Sequence, residues 1–68
     1  MNVIINNSVM RAEMARNRFT NDKLKVISGL SKATISAVRN GKSCSYNTAA
    51  KIAKALNLDV MELIESEV

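Results

Sequence analysis

The amino-acid sequence predicts an all-α fold, a compact bundle of five short helices, and three observations predict it. The 68 residues hold no proline, two glycines, one Tyr and one Phe, whereas a β-sandwich needs frequent turn residues and strands rich in aromatic and β-branched side chains. Apolar residues recur at helical rather than alternating spacing through most of the chain. Ser, Thr or Asp precedes each such stretch, and Asn or Gly follows most of them, the punctuation of capped helices. A chain this short buries only roughly 60% of its unfolded surface, so it holds one domain with a thin core.

Residues 1–7, with Val3-Ile4-Ile5, read as an N-terminal arm or a short edge strand, and the sequence leaves both open. Ser8 is placed to cap the first helix, in which Val9, Met10, Ala12 and Met14 supply the apolar stripe. Asn17 is expected to end it in left-handed backbone, with Phe19 plugging the core beneath. Thr20 caps the second helix, whose inward positions are Leu24 and Ile27 and whose first turn carries Asp22, where the helix dipole favours an anion. Gly29 breaks it in a form suited to a tight turn. Ser31 caps the third, anchored by Ile35 and Val38 and ended by Asn40-Gly41. Residues 42–45 form a polar loop. The fourth helix runs from about Tyr46 to Leu56, with Ala49, Ile52, Ala53 and Leu56 facing inward, and Asn57 ends it. Asp59 caps the fifth, with Glu62 three residues on. There Val60, Leu63 and Ile64 close the core or form a dimer seam. Residues 66–68 are a tail. The four methionines read as core filling.

The net charge is +4, but it is unevenly placed. Between Ser8 and Lys42, eight basic residues face only Glu13 and Asp22, a net of +6; from Ser43 onward the net is −2. A basic block attracts polyanions by neutralising phosphates and releasing their counterions. Arg11, Arg16 and Arg18 serve equally as solvated surface or as phosphate clamps.

Other classes are disfavoured. With no histidine and a single cysteine, Cys44, the chain builds no disulfide, no zinc site and neither a Cys–His nor a Ser–His–Asp arrangement. No enzyme activity and no cofactor are expected. No apolar run approaches the roughly 20 residues of a membrane span. Met1 to Ile5 is too short for a signal peptide, and a cytoplasmic location is expected.

From Thr20 to Gly41 the features of a helix-turn-helix follow in order: a capped helix with Leu24 inward, Gly29 at the turn, Leu30 packing it, Ser31 as the next cap, and Ile35 and Val38 as anchors. Such a pair holds its second helix at a fixed angle and leaves that helix's N-terminal residues free for base edges.

The pattern L-x-x-x-S-G-L-S-x-x-T-I-S-x-x-x-N-G-K, from Leu24 to Lys42, resembles the Cro/phage-repressor (Xre-like) helix-turn-helix family. Arg11 to Arg16 resembles a first helix often seen in repressors of Gram-positive phages. Ile52 to Asn57 and Val60 to Ile64 resemble the family's fourth and fifth helices. The resemblance implies a lambda-repressor-like DNA-binding domain over residues 8–65. It implies base-reading roles for Asn21, Ser31, Lys32, Ala33, Thr34 and Ala37, and phosphate-binding roles for Arg39, Asn40, Lys42 and Ser43. A lysine suits guanine O6 and N7, and alanine suits a thymine methyl. Three departures stand out. Lys25 replaces a usual alanine, Arg18 replaces a common glycine so that the turn passes to Asn17, and Asn21 replaces a longer glutamine.

The implied function is sequence-specific recognition of double-stranded DNA in the major groove by a homodimer on a roughly palindromic operator, as a transcriptional repressor of phage or mobile-element type. The alternatives are an antitoxin or restriction-modification controller of the same fold, with a protein partner besides DNA, and a protein-interaction module that has lost DNA binding.

Overall fold

The computed structural model describes all 68 residues. In chain order the elements are β1 (Asn2–Ile5), α1 (Asn7–Arg16), α2 (Asn21–Ser28), α3 (Lys32–Arg39), β2 (Cys44–Ser45), α4 (Tyr46–Ala55), α5 (Val60–Leu63) and β3 (Ile64–Glu67). The five expected helices are present, but the fold is not all-α: an antiparallel sheet of order β2-β1-β3 lies beside them.

Its middle strand is β1, which corrects the expectation of an arm or an edge strand. Val3 pairs with Cys44 on one side and Glu67 on the other, and Ile5 pairs with Ile64 across an irregularity between Ile4 and Ile5. Alternation places Val3 and Ile5 in the core and leaves Ile4 half-buried. The partner strands carry almost no strand signal of their own. Cys44 and Ser45 belong to a stretch expected as loop, Ile64 to a stretch expected as helix, and Ser66 and Glu67 to the expected tail. α5 is a single turn that passes into β3 at Ile64, whose backbone is already extended.

The helix starts follow side-chain chemistry. Asn6, not Ser8, caps α1, its Oδ1 accepting from the N–H groups of Ser8 and Val9 at 3.0 and 3.2 Å. Thr20, Ser31 and Ser45 cap α2, α3 and α4 through hydroxyls that accept from the third following N–H. Asp59 and Glu62 close a reciprocal capping box on α5.

Three helix exits share one geometry. The residue after the C-cap has positive φ, and its N–H and that of the following residue turn back onto orphan carbonyls, a Schellman motif. Arg18 (φ 56) serves α1, with Phe19 N–H on Met14 O at 2.8 Å; Gly41 (φ 88) serves α3, with Lys42 N–H on Ala37 O at 3.1 Å; Asn57 (φ 59) serves α4, with Leu58 N–H on Ala53 O at 2.8 Å. Asn17, expected to take the left-handed turn, has φ −90, and Asn40 likewise has φ −90.

The core joins every helix to β1. Val3, Ile5, Met10, Met14, Leu24, Ile35, Val38, Ala49, Ile52, Ala53, Leu56 and Leu63 are buried, and no buried residue is polar or charged. Leu63 lies inside, with Val60 and Ile64 partly buried against the core, so this stretch closes the core. Several expected core residues lie outside it. Ile27 is 48% exposed, Met1 and Met61 are about 70% exposed, and Ala12 is on the surface. Lys25 points outward and displaces nothing in the core.

Candidate nucleic-acid interface

The α2–turn–α3 unit is fixed from beneath. Leu24, Ile35 and Val38 are buried, and half-buried Leu30 packs onto the same cluster. Between the helices Gly29 adopts φ 74 and donates to Lys25 O at 3.0 Å. A Cβ there would meet nothing within 4 Å, so the backbone angle rather than space calls for glycine.

With Ile35 and Val38 inward, a period of 3.6 residues turns Ala33, Ser36, Ala37 and Asn40 to the opposite side of α3 and leaves Lys32, in the first turn, at its flank. Lys32, Ala33, Ser36 and Asn40 are exposed, and Ala37 is half-buried. Five of the residues expected in the site therefore share this face or border it: Ser31, Lys32, Ala33, Ala37 and Asn40. Ser31 spends its hydroxyl on the cap, accepting from Thr34 N–H at 3.1 Å, and its Oγ lies 2.9 Å from Thr34 Oγ1. Thr34 is half-buried and lies nearer the packed side. Ser36 was not singled out from the sequence, yet it lies in the middle of the face one turn beyond Lys32; its register with Ile35 was the signal that could have found it.

After α3 the chain enters a loop whose exposed residues are Asn40, Gly41, Lys42 and Ser43. The Schellman hydrogen bonds hold its start, and β2 holds its end by pairing Cys44 with Val3. The segment expected as a free polar loop is thus anchored at both ends, with the Lys42 and Ser43 side chains outward. Cys44 is half-buried beside it, and burial pushes its thiol pKa up.

Asn21 and Arg39 were expected in different roles, and the structure brings them together. Arg39 Nη1 at the end of α3 donates to Asn21 Oδ1 at the start of α2 over 2.6 Å, with both residues half-buried. Nearby, Lys23 Nζ lies 5.4 Å from the centre of the Phe19 ring, a cation–π contact that steadies a basic side chain in the first turn of α2. Asn7 donates through Nδ2 to Val38 O at 3.4 Å and ties the start of α1 to α3, a contact between residues 31 apart that no local pattern announces.

Few of the basic side chains are neutralised. The one ion pair joins Arg16 to Glu13 at 3.1 Å. Arg11, Arg18, Lys23, Lys25, Lys32, Arg39 and Lys42 have no carboxylate partner, so the basic block keeps its charge. Such an arrangement can lay a helix face against base edges while lysines and loop groups meet phosphates. No helix is long and apolar enough to cross a membrane, and no three His, Cys, Asp or Glu side chains gather as a metal site.

Residues 9–67 match the family described as the Cro/C1-type HTH DNA-binding domain. No curated protein and no solved structure matches the chain.

Proposed function

The chain belongs to the Cro/C1-type helix-turn-helix DNA-binding domain family, and from that premise we propose that it is a cytoplasmic transcriptional repressor of phage or mobile-element type. It reads double-stranded DNA as a homodimer. The observation that carries this reading is α3: its inner side is locked by Ile35 and Val38, while Lys32, Ala33 and Ser36 stand clear at its opening turns.

In this reading α3 enters the major groove. Lys32 donates to guanine O6 and N7, Ala33 and Ala37 meet thymine methyl groups, and Ser31, Thr34 and Asn21 lie at the margin of the contact. Asn40, Lys42 and Ser43 grip the sugar-phosphate backbone beside the groove, and Arg39 works from behind them. Phosphate contacts set the register, and base contacts choose the sequence.

In this reading the domain covers one half-site. Its longest dimension is 29 Å, short of the roughly 34 Å between successive major grooves on one face of the duplex. One copy fills one half-site, and a two-fold pair fills two. Repression follows from occupying a promoter.

Selection of bound sequences from a random duplex pool, with sedimentation of the resulting complex, tests this reading. The expected result is a two-fold-related site with half-sites about one helical turn apart, bound by two chains. A site without symmetry, bound by a single chain, overturns the dimeric mechanism.

A further inference from the structure

Resting on the DNA-binding reading above, we propose that Arg39 is a positioning residue: it fixes the Asn21 amide so that Asn21 Nδ2 donates to a phosphate oxygen of the DNA backbone. The contact that carries this is the 2.6 Å hydrogen bond from Arg39 Nη1 to Asn21 Oδ1. It joins residues 18 apart in sequence, and it clamps the first residue of α2 to the last residue of α3.

The chemistry of the two groups sets the orientation. A guanidinium has only donors, and of the two arms of an amide only the oxygen accepts, so Asn21 cannot flip without losing the bond. The nitrogen arm then lies on the far side of Cγ from Arg39. Asn21 Nδ2 has no partner within the protein, and it is not among the buried polar atoms left without one. It is an open donor in a fixed direction.

A charged donor on the oxygen also polarises the amide and strengthens its N–H groups as donors. The guanidinium is planar and keeps its charge, so the restraint holds at every pH the fold survives. Charge-assisted bonds of this kind are short and strong relative to neutral ones. Asp22 follows Asn21 in the first turn of α2, yet no carboxylate lies within ion-pair distance of Arg39, so the guanidinium keeps its charge for this contact. Asn21 also sits just inside the Thr20 cap, where the α2 dipole favours an anion. Arg39 thus contributes to DNA binding through Asn21 rather than by reaching a phosphate of its own.

The test is a double-mutant cycle read by fluorescence anisotropy on one DNA duplex across a salt series, using Asn21→Ala, Arg39→Ala and the double variant, each with a thermal melt. The expected result is that each single change weakens binding roughly tenfold, about the worth of one hydrogen bond to a charged oxygen. The double variant then binds like Asn21→Ala. Removing Arg39 from the Asn21→Ala background leaves the salt slope unchanged. Losses that multiply, with a slope lowered by about 0.9 when Arg39 is removed from that background, make Arg39 an independent phosphate contact and overturn the proposal. So does an Arg39→Ala protein that binds normally. Failure of the unaltered chain to bind any duplex at low salt is a different result, which sinks the DNA-binding reading and this inference with it.

Discussion

Arg18 is the residue most at odds with its backbone. It sits at φ 56 in the exit of α1, a conformation that costs an L side chain about 1 kcal/mol and glycine nothing. The turn is needed because it brings Phe19 N–H onto Met14 O, and Asn17, the residue better suited to left-handed backbone, is one position too early to provide it. Arg18→Gly is therefore expected to stabilise the fold by roughly 0.5–1 kcal/mol, raising Tm by a few degrees in a thermal melt followed by circular dichroism. A lower Tm contradicts this assignment. Cys44 gives a second test at this scale. Burial pushes its thiol pKa up, so less thiolate is present near pH 8 than in an unfolded chain. Alkylation by iodoacetamide is expected to be slow in the native protein and to quicken in denaturant. The sign of the linked stability follows. Between the usual thiol pKa and the raised one, the unfolded chain releases its proton first, so stability falls as pH rises through that window. An alkylation rate that is the same in native and unfolded protein contradicts the burial of this side chain.

The helices were legible in the sequence and the sheet was not, for a physical reason. Each helix carries its own signal within about ten residues: Thr20, Ser31 and Asp59 as caps, Gly29 and Gly41 as stops, and the Ala49–Ile52–Ala53–Leu56 stripe. A strand needs a partner, and the partners of β1 lie at the far end of the chain and in a two-residue segment without strand character. Val3-Ile4-Ile5 showed that something extended was present but not that it was central. The same limit hid the Asn21–Arg39 contact, which needs the tertiary angle between two helices. The inward anchors of α3, Ile35 and Val38, by contrast, followed from its own periodicity, whereas the roles expected of its outer residues came from the resemblance. The consequence for β1 can be measured. Ile5→Ala is expected to cost about 2–5 kcal/mol, as for other buried large-to-small changes, a large share of what so small a domain has. An N-terminal arm would lose nothing measurable. A urea melt decides between the two, and a midpoint unchanged from that of the unaltered chain contradicts the central placement of β1.

Across the whole molecule, charge and packing are segregated. The basic block spans α1 to the loop after α3, four of the six acidic residues lie at the cap of α5, in α5 and in β3, and a single ion pair connects opposite charges. Solvent-exposed pairs would add little to stability, typically below about 1 kcal/mol each, so leaving the lysines unpaired costs the fold little and preserves their attraction for phosphate. Lys42 and Lys32 should then separate by role. Lys42→Ala is expected to weaken binding to all duplexes alike and to lower the salt slope by about 0.9, the loss of one phosphate contact. Lys32→Ala is expected to reduce the preference for the selected site, by about 1–3 kcal/mol at one base pair, while non-specific binding persists. The most direct measurement of the groove-reading claim is fluorescence anisotropy over a salt series, comparing the selected duplex with a scrambled one for the unaltered chain, Lys32→Ala and Asn40→Ala. The account requires affinity that falls steeply with salt, a preference for the selected duplex that collapses in Lys32→Ala, and weaker binding to both duplexes in Asn40→Ala. Binding that is absent at low salt, or that is unchanged in both variants, contradicts it.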